Sequence, residues 1–133
     1  MTNTPAPTIW PALAYADAPA ALRFLVEAFG FVETLVVPGE GAREIAHAEL
    51  RWPEGGGVML GSTCDDHGEL GRLKPGTTSI YVVTDGPDAL FARATMAGAE
   101  VIRGLKDEDY GSRGFTVRDP EGTLWSFGTY RGA

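Results

Sequence analysis

A chain of 133 residues with 44% hydrophobic and 22% charged residues has the composition of one globular domain with a sizeable core, which excludes a largely disordered protein. Its formal net charge of −7 and pI near 4.7 set it against nucleic acid and anionic membranes, both of which need a basic footprint. The single cysteine, Cys64, excludes an intramolecular disulfide framework.

The opening residues Met1–Thr8 have neither a basic start nor an apolar stretch, so no signal peptide is predicted. No run approaches the ~18 apolar residues of a membrane span. A cytoplasmic location is the expectation. Residues 1–7 read as a tail, and Thr8–Tyr15 as a short strand in which Pro11 marks an edge or a bulge.

Asp17–Gly30 is a signalled helix. Asp17 is placed to cap it, Pro19 sits in its first turn, and Gly30 supplies a left-handed stop. Leu22, Leu25, Val26 and Phe29 fall on one face at helical spacing. Strands follow at Phe31–Val37, Arg43–Trp52 and around Val58–Gly61, separated by Pro38-Gly39 and by Pro53-Glu54-Gly55. The polar stretch from Ser62 to Gly76 reads as a linker, with His67 a solvent histidine inside it. The pattern then restarts, with a strand at Thr78–Val83, a helix at Asp85–Gly98, a short strand at Glu100–Arg103 and a charged loop at Lys106–Asp109. A hairpin closes the chain: Phe115–Arg118, the turn Asp119-Pro120-Glu121-Gly122, and Leu124–Tyr130.

The restart is an internal repeat that subtraction checks. Asp17, Pro19, Ala21, Leu22 and Gly30 recur 68 positions later as Asp85, Pro87, Ala89, Leu90 and Gly98. Arg51, Pro53, Glu54 and Gly55 recur 67 positions later as Arg118, Pro120, Glu121 and Gly122. The unit is β-α-β-β-β, present twice. An α+β fold is predicted, with a first unit over residues 8–62, a linker over 63–76 and a second unit over 77–131.

A duplicated unit of this kind resembles the vicinal oxygen chelate superfamily, which includes glyoxalase I, extradiol dioxygenases and the fosfomycin- and bleomycin-resistance proteins. The resemblance runs from Ile9 to Tyr130. It rests most on Asp17-x-x-x-Ala-Leu-x-Phe-Leu-x-x-x-Phe-Gly-Phe31 and on Tyr110-Gly-Ser-Arg-Gly-Phe115 with Asp119-Pro-Glu-Gly-Thr-Leu-Trp-Ser-Phe-Gly128. The second piece looks like the closing hairpin of the branch often called PhnB-like. The resemblance implies two tandem units whose mixed sheets curl around a cleft with helices on the outer face, and a homodimer. In the family's enzymes it also implies a divalent metal held by His, Gln or Glu from the first and last strands of each unit. Carried over by spacing from Asp17, Asp85 and Asp119, the metal positions are Trp10, Thr78 and Ser126, with Gly61 as the fourth. Tryptophan and glycine side chains offer no donor, and Thr and Ser hydroxyls are weak ones, so no metal ligands and no cofactor are expected.

Strand alternation then selects the cleft. Trp10 and Thr78 bring Ala12, Ala14, Ile80 and Val82 with them. Ser126 brings Leu124 and Gly128, leaving Trp125 and Phe127 for the helix side. Met59, Tyr110 and Arg113 complete the expected lining, with Arg113 free either to meet an anionic ligand or to clamp local acids. His47, Glu49 and Arg51 share one strand face, and His47 with Glu49 forms a candidate general-base pair. Three functions follow: a metal-free small-molecule binder of the bleomycin-resistance type, an enzyme with metal held by His47 and Glu49, or a metal-free acid–base enzyme using that pair. Glu44, Glu49 and Asp107–Asp109 are acids that would draw a cationic ligand.

Overall fold

The computed structural model describes residues 5–65 and 68–133. Its elements are β1 (Ala12–Tyr15), α1 (Ala18–Phe24), β2 (Val32–Pro38), β3 (Ile45–Arg51), β4 (Gly57–Ser62), the short α2 (Gly68–Gly71), β5 (Ser79–Val83), α3 (Pro87–Met96), β6 (Glu100–Asp107), β7 (Arg113–Arg118) and β8 (Leu124–Gly128). They form two four-stranded mixed sheets, ordered β1-β4-β3-β2 and β5-β8-β7-β6. In each sheet the first and last strands of the unit run parallel and the remaining pairs antiparallel. This is the α+β fold of two tandem βαβββ units.

Local chemistry sets the boundaries. β1 begins only after Pro11, which has no N–H for a ladder. The Asp17 side chain caps α1 by accepting from Ala20 N at 3.2 Å. The last turn of this helix widens to π geometry over Leu25–Phe29 and stops at Gly30, whose φ of 88° suits a residue without Cβ. In the closing hairpin Gly122 takes φ 102° after Pro120, as the turn residues require. Two elements differ from expectation. β6 runs on to Asp107, because Lys106 and Asp107 pair with Gly114 and Arg113 instead of looping out. The linker holds α2, one turn tied back where Cys64 N donates to Gly71 O at 2.8 Å. His67, expected to face solvent, lies outside the described residues.

One core serves both units. Phe29 and Phe31 of the first unit pack against Trp125 of the second, at centroid distances of 5.4 and 5.6 Å. Phe127 sits 4.8 Å from Phe29 and 5.9 Å from Trp52. Each such side chain contributes roughly 1.5–3 kcal/mol on burial. Polar contacts fix the register of this aromatic seam. Trp52 Nε1 donates to Val83 O at 2.8 Å, and Arg93 of α3 donates to the carbonyls of Glu27 and Val26 in the π turn, at 2.9 and 3.1 Å. The two units therefore pair within one chain, helix side to helix side, and the opposite face of each sheet stays open.

Candidate functional site

The register defines both open faces row by row. On the first sheet, Arg51 lies opposite Gly57 and Val32, Glu49 opposite Met59 and Leu35, and His47 opposite Val37. Ala12 and Ala14 extend these rows through Met59 and Gly61. Ala48, Leu50, Val58 and Leu60 alternate with them and are buried on the helix side. Trp10 lies over Gly57: a Cβ built there would sit 2.7 Å from the indole. The expected sharing of one face by His47, Glu49 and Arg51 is what the sheet displays. His47 Nε2 meets Glu49 Oε2 at 2.8 Å, with both side chains part-exposed.

A hollow of about 460 Å³ on this face is lined by Ala12, Ala14, His47, Met59 and Gly61, with Leu70 and Leu73 of the linker at its rim. On the second sheet a smaller hollow of about 180 Å³ is lined by Tyr81, Arg103, Glu108, Tyr110, Thr116 and Ser126. The two hollows share no residue. Within one chain His47, Glu49 and Met59 are thus brought together, and Ser126 meets Tyr110, but the two sets do not meet each other. Thr78 lines a third space between β1 and β5, with Ala12, Ala14 and Tyr81. A groove of about 480 Å³ between α1 and β2, floored by Leu22, Val26, Val36 and Ile45, is lined by Glu44 but by none of the residues expected in the cleft.

Three placements depart from the sequence reading. Ile80 was expected in the cleft, but β5 pairs it with Trp125 and turns it onto the core, while Tyr81 pairs with Ser126 and takes the open face. Val82 turns inward with Ile80. The reason is phase. Leu13 of β1 pairs with Leu60 on the helix side, whereas the inward residue of β5 is Val82, one residue further on than the helix repeat of 68 places it. A one-residue slip exchanges the two faces of a strand. Secondly, Arg113 leaves the expected lining for the other role open to it, the clamp of local acids, because it shares the helix-side parity of Phe115 and Val117. It clamps Asp88 of α3, Nε to Oδ1 at 2.8 Å and Nη2 to Oδ2 at 3.0 Å, with Asp107 at 3.3 Å. Arg113 holds the Asp88 carboxyl below the usual carboxylate range, chiefly by this hydrogen bond. Thirdly, Leu124 pairs with Arg118 as Gly57 pairs with Arg51, so the counterpart of Ser126 is Met59 and not Gly61.

The donor set at these positions does not fit a divalent cation. Trp10 and Met59 are apolar there, and the Ser126 hydroxyl is already bonded to Thr116 at 2.8 Å. Among the described residues, no three of His, Cys, Asp and Glu gather as a metal cluster. All but Asp109 of the acids expected to draw a cation are engaged as well, Asp107 with Arg113. Glu49 is bonded to His47, Glu108 is paired with Arg103, and the Glu44 carboxylate accepts from Gly41 N at 3.0 Å.

The sequence reading did not separate Arg51 from its neighbours. Arg51 Nε is buried without a hydrogen-bond partner among the described residues.

Two mixed sheets in tandem βαβββ units, each with one open face, define a duplicated scaffold. The chain belongs to the glyoxalase/bleomycin resistance protein/dioxygenase superfamily, whose family pattern it matches over residues 9–127. An uncharacterized protein of Mycobacterium bovis is 38% identical over 127 residues, covering 92% of this chain and 82% of the relative. The crystal structure of TioX from Micromonospora sp. ML1 is similar at a TM-score of 0.73 and 35% identity, over 90% of this chain and 95% of that one. A glyoxalase/bleomycin resistance protein from Streptomyces sp. CB03234 shares the fold at a TM-score of 0.65 and 23% identity, over 87% and 94%. No helix among the described residues is long and apolar enough to cross a membrane.

Proposed function

We propose that this protein binds a small molecule on its open sheet faces without a metal ion, in the manner implied by bleomycin-resistance-type membership, as an antibiotic-sequestering or similar carrier. The observation that carries this reading is the replacement of donors at the family's metal positions by Trp10, Met59 and a hydroxyl already bonded to Thr116. The open faces are built for contact with a ligand body: Met59, Ala12 and Ala14 floor one, Tyr81 and Tyr110 flank the other. The second-sheet hollow, at about 180 Å³, is too small to hold a drug-sized ligand alone. Joining the first-sheet hollow of one copy to the second-sheet hollow of another makes two complete clefts per homodimer, which supports the dimer that the resemblance implies.

Thermal-shift titration with a panel of antibiotics that includes metal-free bleomycin, run with and without EDTA, tests the proposal. The expected result is a ligand-dependent rise in melting temperature that EDTA leaves unchanged. A rise abolished by EDTA contradicts it, as does a panel without any rise.

A second reading is favoured by one contact. The 2.8 Å His47–Glu49 bond orients an imidazole on the open face as a general base requires, with the carboxylate fixing its ring. Turnover of a bound ligand that is lost in His47→Gln while binding persists would assign catalysis to this pair.

A further inference from the structure

The repeat leaves one cation without its acid. Arg118 of β7 lies opposite Glu100 of β6 and is bonded to it at 2.9 Å. Arg51 is its counterpart in the first unit, and the residue opposite it is Val32, 68 positions before Glu100. The arginine is kept in both units, and its partner only in the second. The Val32 side of the pair is 51% exposed, so the substitution adds no core contact in return. Arg51 has no ion pair among the described residues, and its Nε is shut away from water with no acceptor. Glu49, in the neighbouring row, is held by His47 on the side away from Arg51. Trp10 over Gly57 flanks the arginine on one side, and the exposed Val32 and Leu35 on the other.

We propose that Arg51 is the anion contact of the first open face, and that the ligand it takes is an apolar or aromatic body bearing a carboxylate. The two Nη groups of Arg51, unlike its Nε, are not shut away; their N–H donors match a two-oxygen anion, and the flanking surface matches an apolar body. The inference rests on the reading of this face as a ligand surface, and it narrows the chemical class of the ligand.

Benzoate, with benzamide as its neutral isostere and acetate as its apolar-free analogue, probes the site directly. The Arg51 Nε–Hε cross-peak of nitrogen-15-labelled protein is followed, assigned by its loss in Arg51→Lys. Benzoate is expected to shift this peak saturably, acetate at least about tenfold more weakly, and benzamide not at all. Val32→Glu, which rebuilds the ion pair of the second unit at an exposed position, is expected to weaken benzoate binding about tenfold or more while the melting temperature holds or rises. An equal response to benzamide overturns the proposal, as does unchanged benzoate affinity in Val32→Glu or a peak that never moves. The antibiotic thermal shifts are read in the same Val32→Glu protein. If they persist while the benzoate response is absent in the wild type, the anion contact fails and the binding function stands. If both are absent, the surface itself has been misread.

Discussion

Glu121 accepts the backbone N–H groups of Ala16 and Asp17 at 2.7 and 2.8 Å, so the turn that closes the second unit holds the start of the first unit's helix. The relation is reciprocal. Glu54, the equivalent residue of the first unit, accepts from Asp85 N at 3.1 Å, ahead of the second unit's helix. The repeated Pro-Glu-Gly turns thus do more than reverse the chain. Each supplies a carboxylate to donors at the helix entry of the other unit, where negative charge is favoured. Replacing Glu121 by Ala is expected to lower stability by about 1–2 kcal/mol, and by Gln by less, in urea unfolding with an unchanged slope.

A second join between the units is buried. Tyr15 of β1 donates its hydroxyl to Asp119 Oδ2 at 2.7 Å, and the same oxygen accepts Trp125 Nε1 at 3.1 Å. The other carboxylate oxygen takes the N–H groups of Glu121 and Thr123. Burial, and next the Asp119 charge, push the Tyr15 phenol far above its ordinary range. A raised phenol favours the folded state fully while the unfolded tyrosine is still protonated. Stability is therefore expected to hold up to about pH 10 and to fall above it, as the unfolded chain loses a proton that the folded one keeps. Melting temperatures from pH 8 to 11 should show this fall in the wild type and a shallower one in Tyr15→Phe. That variant should also lose about 1–2 kcal/mol at neutral pH.

Gly57 is required for the placement of Trp10. A Cβ there would stand 2.5 Å from Leu50 O as well as 2.7 Å from the indole, and a carbonyl of the sheet cannot yield cheaply. Gly57→Ala is expected to cost about 1–3 kcal/mol and to shift the tryptophan emission as Trp10 leaves its seat. An unchanged spectrum would place Trp10 elsewhere.

Arg113 is tied to acids on α3 and β6 and not to a hollow. Its side chain and Asp88 are substantially exposed, so screening keeps the pair weak. Arg113→Ala is expected to leave the urea midpoint almost unchanged and ligand affinity untouched in the same thermal-shift titration.

Much of this architecture was legible in the sequence, because the repeat offsets, the Asp17 cap, Gly30 and the Asp119–Gly122 turn are local signals with local causes. The π turn, by contrast, serves packing of Phe29 against Trp125, which no local pattern records. Ile80 and Tyr81 were exchanged because strand phase was carried over from the helices, and the connection before α3 differs by one residue from that before α1. The separation of His47 from Ser126 followed from the units packing helix side to helix side, a tertiary outcome. Arg51 looked like one of three polar residues on a strand. Its difference emerged only when the register set Val32 where Glu100 stands in the other unit.

The proposed function requires metal-free binding on open faces completed by a second copy. Native mass spectrometry of the purified protein, with and without a ligand found in the thermal-shift panel, measures it directly. The expected result is a dimer whose mass leaves no room for a divalent ion and which takes up ligand in that state. A stoichiometric divalent metal in each subunit, lost together with ligand on chelation, would contradict it.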